Sequence, residues 1–134
     1  MKFLHTADWH IGRQFHNTSL LADQEYILRQ LVILAVEEKV DAIVIAGDVY
    51  DRAVPPAEAV ALLNDILEQL IIENKIQVIM ISGNHDSADR LGFGAKLLTS
   101  RGLHVYGPIA SAGQPLVLKD KFGPIYFCPF PYAE

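Results

Sequence analysis

The chain has 134 residues, 51% of them hydrophobic, which suits one domain with a packed core and excludes a wholly disordered chain. Sixteen acidic against 11 basic residues leave a net charge of −5, which argues against coating nucleic acid by surface charge alone; cations held by acidic side chains escape such a count. No run approaches the roughly 18 apolar residues of a membrane span, and the amino terminus lacks the apolar stretch of a signal peptide, so a soluble, cytoplasmic protein without a membrane partner is expected.

In chain order, the first short apolar run, Phe3 to Thr6, predicts a strand. From about Ser19 to Lys39 the apolar residues Tyr26, Ile27, Leu31, Leu34 and Ala35 recur at three- and four-residue steps and predict a helix, with Asp23 and Glu25 near its positive end and Lys39 at its negative end. A second strand is expected over Ala42 to Ala46. A second helix follows over about Pro56 to Asn74, where Val60, Leu63, Leu67, Leu70 and Ile71 form a stripe that Leu62 and Ile66 widen; Pro56 suits its first turn. Gln77 to Ser82 reads as a strand, Ala88 to Ser100 as a helix closed by Gly102, and Leu103 to Tyr106 as a fourth strand. Beyond Gly107 the texture changes, and Leu116-Val117-Leu118 with Ile125-Tyr126-Phe127 predicts a hairpin. Strands alternating with helices imply an α/β fold of βαβ units, with a parallel sheet covered on both faces. The single Cys128, between Phe127 and Pro129, reads as a small buried apolar residue.

Three of the strands end in polar residues of one kind. Asp8-Trp9-His10 follows the first, Gly47-Asp48-Val49-Tyr50-Asp51 the second and Gly83-Asn84-His85-Asp86 the third. Parallel neighbours bring these sets to one edge of the sheet, where ligands of open α/β sheets bind. Asp8 and His10 supply a carboxylate and an imidazole to one side, Asp48 a carboxylate able to bridge two ions, and Asn84 a carbonyl oxygen. Oxygen and nitrogen donors without thiolates favour manganese or iron over structural zinc. Two such cations, roughly 3.5–4 Å apart, would polarise a phosphoryl group and activate a water, so phosphoester hydrolysis is the expected chemistry. His85 could protonate the leaving oxygen, Asp51 and Asp86 could orient histidines or loop amides, and Gly47 and Gly83 would let the backbone turn close to the metals. Each short motif alone also reads as a turn or a helix cap; their order and common position at strand ends set them apart.

These three motifs resemble those of the calcineurin-like metallophosphoesterases, whose fold is an αββα sandwich around a dimetal centre. The stretches "HTADWHIGRQF", "VDAIVIAGDVYDRAVPP" and "ISGNHDS" are similar to the SbcD-type nuclease branch, over about Lys2 to Gly107. The resemblance implies a manganese-dependent DNA nuclease, exonuclease on double-stranded ends and endonuclease on hairpins and single strands, working with an SbcC-type coiled-coil ATPase in double-strand-break repair. It implies Asp8 and His10 on the first metal, Asp48 bridging, Asn84 on the second and His85 in catalysis. A homodimer through the helix at about 56–74 is implied as well. Arg13, His16, Arg52 and Arg90 could meet the DNA backbone. The later Gly-His and Gly-His-X-His motifs of the family do not occur, so the chain is expected to be the amino-terminal part of a longer nuclease domain, with little activity by itself. Two other readings stand beside this one: another phosphodiesterase or phosphatase of the same family, which Asp51-Arg52-Ala53 in place of Asp-Arg-Gly disfavours, and a non-catalytic dimerisation or ATPase-docking module.

Overall fold

The computed structural model describes residues 1–133, and the apolar runs rich in β-branched residues become strands as their composition anticipates. Strand β1 (Phe3–Thr6) precedes a short ladder of β2 (Gln14–Phe15) and β3 (Thr18–Ser19), which leads into helix α1 (Leu21–Glu37). Strand β4 (Ala42–Ala46) is followed by α2 (Ala57–Glu68), which continues as a π-helical turn over Gln69–Glu73. Then come β5 (Gln77–Ile81), the short helices α3 (Ala88–Leu91) and α4 (Ala95–Leu98), β6 (Leu103–Tyr106), and the hairpin of β7 (Leu116–Asp120) and β8 (Gly123–Phe127).

Four strands form a sheet in the order β1-β4-β5-β6, parallel throughout. The strand period of two sends Leu4, Ile43, Ile45, Val78, Met80, Leu103 and Val105 to one face, where they join one core with Leu28, Val32 and Ala35 of α1 and Ala59, Leu62, Leu63 and Ile66 of α2. Alternate residues, among them Phe3, Val44, Ile79, His104 and Tyr106, occupy the other face. The hairpin attaches on that side: Phe127 meets Phe3 edge to face with ring centroids 5.6 Å apart, and the Met1 amine pairs with Asp120. Its half-buried Leu116, Leu118, Ile125 and Phe127 alternate with exposed Val117, Lys119, Pro124 and Tyr126, as a two-stranded layer with one packed face requires.

The mixed α/β class with a parallel central sheet is therefore correct, but the coverage differs from expectation. Both long helices lie on one face, and the hairpin, not a helix, lies on the other. Helix, sheet and hairpin make three layers of the αββα order; a helix outside the hairpin is absent among the described residues.

The buried side of α1 also differs. Leu28, Val32 and Ala35 are buried, whereas Tyr26, Ile27 and Leu34 of the expected stripe are exposed. This helix is apolar over most of its circumference, so its own periodicity does not select the side that the sheet will cover. On α2, Leu62 and Ile66 are core residues while Val60 is 46% exposed, which removes Leu62 and Ile66 from any dimer surface. The third helix breaks at Gly92-Phe93-Gly94, where Gly94 takes a left-handed φ of 73°; Gly102, at φ 100°, does end this segment as expected. Cys128 is exposed, not buried. Nothing in the residue pattern anticipates the β2–β3 ladder. Its turn residues His16 and Asn17 both have positive φ, as a tight two-residue hairpin demands.

Candidate metal centre

The site is built from loops that continue the parallel pairing beyond the strands. After β1, the amides of Asp8, His10 and Ile11 donate to the carbonyls of Gly47, Asp48 and Val49 after β4, at 2.9–3.1 Å, and Asp51 N returns a bond to Ile11 O. The two loops are thereby locked in register while turning sharply: φ is 57° at Asp8, 44° at His10, 87° at Gly47 and 49° at Asp48. Left-handed backbone at a non-glycine residue costs about 1–3 kcal/mol and persists only where surrounding bonds over-determine it. Asp and His tolerate this region better than most residues, and here it concentrates at the predicted ligands.

These turns bring Asp8, His10 and Asp48 together, with one ligand atom from each within 4.8 Å of the others. His10 Nε2 is 3.9 Å from Asp8 Oδ1 and 3.8 Å from Asp48 Oδ2, beyond direct hydrogen bonds. Asp48 is 8% exposed, so a carboxylate has been taken out of water without a basic side chain to pair it. On the other ring edge, His10 Nδ1 is buried, has no hydrogen-bond partner, and stands 3.5 Å from Asp51 Oδ1. Converging oxygen and nitrogen donors, an unpaired buried carboxylate and an orphaned ring nitrogen fit a divalent cation. His10, Asp51 and His85 form a second such group that shares His10 with the first.

The loop after β5 closes the site. Asp86 accepts from the amides of Val49 (3.1 Å), Tyr50 (2.9 Å) and Gly83 (2.9 Å), tying this loop to the one after β4. Gly83 has no alternative: a Cβ there would lie 2.0 Å from Asp48 Oδ1. His85 donates its amide to the same Asp48 oxygen at 3.0 Å, and its ring packs edge-on against His10 with centroids 4.7 Å apart. His85 Nδ1 lies 2.9 Å from the Asp51 carbonyl, which can only accept, so Nδ1 carries a proton and Nε2 faces outward. That bond, aided by nearby Asp48 and Asp51, holds the exposed imidazole above its usual pKa of 6.5. Burial, with the Asp86 charge beside it, pushes the Tyr50 phenol up to about 12.

The other predicted site residues stand outside these two groups of carboxylates and imidazoles. Asn84 is exposed, and its amide makes no hydrogen bond among the described residues. Arg13 is exposed with Nε 4.0 Å from Asp51 Oδ1. His16 sits at the β2–β3 turn against Phe15, Arg52 is exposed in the loop before α2, and exposed Arg90 lies on α3, its amide facing Ser87 Oγ. A residue the motifs did not point to is Gln24 of α1, whose side chain reaches the loop carrying His10. Its signal was a glutamine four residues before Leu28, on the side of the helix that turned out to be buried.

Beyond this geometry, the family model "Calcineurin-like phosphoesterase" matches residues 1–129. The chain is 42% identical over 133 residues to the D subunit of nuclease SbcCD from Staphylococcus epidermidis and 39% identical to the protein of the same name from Staphylococcus saprophyticus. Each alignment covers 99% of this chain and 34% of the relative, so the chain spans about a third of the length of these curated relatives. A solved nuclease MPE of Pseudomonas putida aligns at 27% identity with a TM-score of 0.48, over 77% of this chain and 46% of that one. With the family model spanning nearly every residue, and Asp8, His10, Asp48 and His85 gathered at one sheet edge, the chain belongs to the calcineurin-like phosphoesterases.

Proposed function

We propose that this chain carries the first half of the active site of a manganese-dependent DNA nuclease of the SbcD type, cutting double-stranded ends, hairpins and single strands. The observation that carries the proposal is the convergence of Asp8, His10 and Asp48 with the ring of His85 packed edge-on against His10. The names of the two staphylococcal relatives support the nuclease reading over a phosphatase. They also support an SbcC-type ATPase as the partner in double-strand-break repair.

Asp8, His10 and Asp48 would hold one divalent cation, and Asp48 with Asn84 a second. Such ions, when bound, polarise a phosphodiester and lower the pKa of an attacking water. His85 presents Nε2 to the leaving oxygen, while its Nδ1–H bond to the Asp51 carbonyl fixes the ring and favours its protonated form. Asp86 holds the loops after β4 and β5 together, and Arg13, Arg52 and Arg90 supply positive charge, and His16 a polar ring, for the phosphate backbone. A homodimer through the helix at about 56–74 would use the apolar side chains left exposed there, Val60 on α2 and Ile72 on its π-helical turn, because Leu62 and Ile66 are committed to the core.

Cleavage of a DNA hairpin and of a small phosphodiester, with and without manganese, tests the reading. Manganese-dependent hairpin cleavage that His85→Ala abolishes is the expected result in the longer protein, with weak cleavage by this chain, whose second cation site has only two ligands. Cleavage of the small diester alone would move the protein to another branch of the family.

A further inference from the structure

We infer that Gln24 of α1 is a positioning residue for the His10 loop, acting through the backbone and not as a ligand. Its amide nitrogen donates to two successive carbonyls, Trp9 O at 3.0 Å and His10 O at 2.7 Å, and its Oε1 accepts from Gly12 N at 3.0 Å. One side chain thus satisfies three backbone groups within four residues of a loop whose Asp8, His10 and Ile11 amides are taken by the loop after β4. The amides of Asp8, His10 and Ile11 bond one way, toward Gly47, Asp48 and Val49; the carbonyls of Trp9 and His10 point the other way, toward α1. Gln24 is the only described side chain that meets them.

The two sets of bonds clamp the loop from opposite sides at the place where φ is 44° at His10 and 91° at Gly12. A third contact seals it: a Cβ at Gly12 would come within 3.1 Å of Ala59 and Pro56, so the loop is seated against the start of α2 as well. Only Gln fills the role among common side chains of this length. Glutamate keeps an acceptor for Gly12 but turns carboxylate oxygen toward two carbonyls, and leucine offers neither donor nor acceptor.

With Gln24 gone, the Trp9 carbonyl and the Gly12 amide lose their partner in a part-buried site, the His10 carbonyl keeps only the Arg13 amide, and the left-handed turn at His10 relaxes toward ordinary backbone. The ring of His10 then leaves the position in which it faces Asp8 and Asp48. Residues that orient metal ligands typically contribute about 10- to 100-fold to metal affinity, and an effect of that size is expected here. The inference rests on the metal-centre reading, and its test separates the two.

Manganese titration of the full chain, by calorimetry or by loss of the free-ion EPR signal, is carried out on wild type, His10→Ala, Gln24→Leu, Gln24→Glu and Ile66→Val. Ile66→Val is a remote core variant that loses stability without touching the loop. The His10 and Gly12 resonances are followed by NMR in the same samples without metal. Expected are measurable binding of one ion by wild type, loss in His10→Ala, affinity weakened by about 10- to 100-fold in both Gln24 variants with the His10 and Gly12 signals displaced, and unchanged affinity in Ile66→Val. Equal binding by wild type and His10→Ala would refute the metal-centre reading. Binding by wild type that His10→Ala abolishes and both Gln24 variants retain would refute the role of Gln24 alone, as would an equal loss in Ile66→Val. Should Gln24→Leu fail to fold, Gln24→Glu decides, since it keeps the Gly12 bond.

Discussion

The first two crossovers of the sheet, 35 and 30 residues between their strands, and the third, of 21, behave differently. α1 spans 17 residues, and α2 with its π-helical turn another 17; both bury a continuous apolar side on the sheet. The third crossover, between β5 and β6, is cut into α3 and α4 of four residues each, buries no side chain fully within either, and leaves Phe93 and Leu97 more than 80% exposed. The candidate ligands sit on the loops that enter the two long helices and on the short loop after β5 that Asp86 straps to them. The left-handed turns at Asp8, His10 and Asp48 lie on the loops that lead toward the long helices, and the third crossover brings a converging side chain, His85, only from the loop before α3, which Asp86 ties to the loop after β4.

The sharpest way to break that contrast is Gly83→Ala. The added methyl collides with the Asp48 carboxylate and should remove stoichiometric manganese binding, a loss of at least about 100-fold by titration. Next in size is Ile66→Ala, which opens a cavity beneath α2 and should cost about 2–5 kcal/mol by denaturant unfolding. Gly94→Ala probes the other side of the comparison. Its Cβ meets only Leu98, at 3.9 Å, so its cost of about 1–2 kcal/mol comes from left-handed backbone and not from packing.

A pH effect belongs to β6. His104 is buried against Gln77, which lowers its pKa below 6.5, so the unfolded chain takes up the proton first. Stability from this group is complete above pH 6.5 and is lost as pH falls through the folded-state value. Melting temperature should decline below pH 6.5, and His104→Gln should flatten that decline. The smallest effect is expected from Phe93→Ser: the ring is 87% exposed, and stability of the monomeric chain should change by less than about 0.5 kcal/mol. A larger loss would mean that the third crossover is better packed than its exposure indicates.

Much of this was legible in the amino acids. Composition alone located the four sheet strands and the hairpin, because β-branched runs bounded by turn residues have few other outcomes. The motifs Asp8-X-His10, Gly47-Asp48 and Gly83-Asn84-His85-Asp86 were readable because each directly follows a strand, and parallel pairing leaves them one common edge. The lack of a long apolar run had already argued against a membrane span, and among the described residues no helix is long and apolar enough to cross one.

Tertiary structure decided the rest. The buried side of α1 was not legible, because Tyr26, Ile27, Leu28, Leu31, Val32, Ile33 and Leu34 offer several overlapping apolar stripes and only the sheet chooses among them. The break at Gly92-Phe93-Gly94 depended on whether two glycines in an otherwise helical pattern would find packing to offset their freedom, and they did not. Gln24 looked like one more polar helix residue until the fold carried the Trp9 and His10 carbonyls to it. Strand positions and ligand chemistry are local or nearly local properties, and the chain sequence states them. The side a helix buries, the backbone strain a loop can hold and the side chain that holds it are relations between distant segments, and they exist only once those segments have packed.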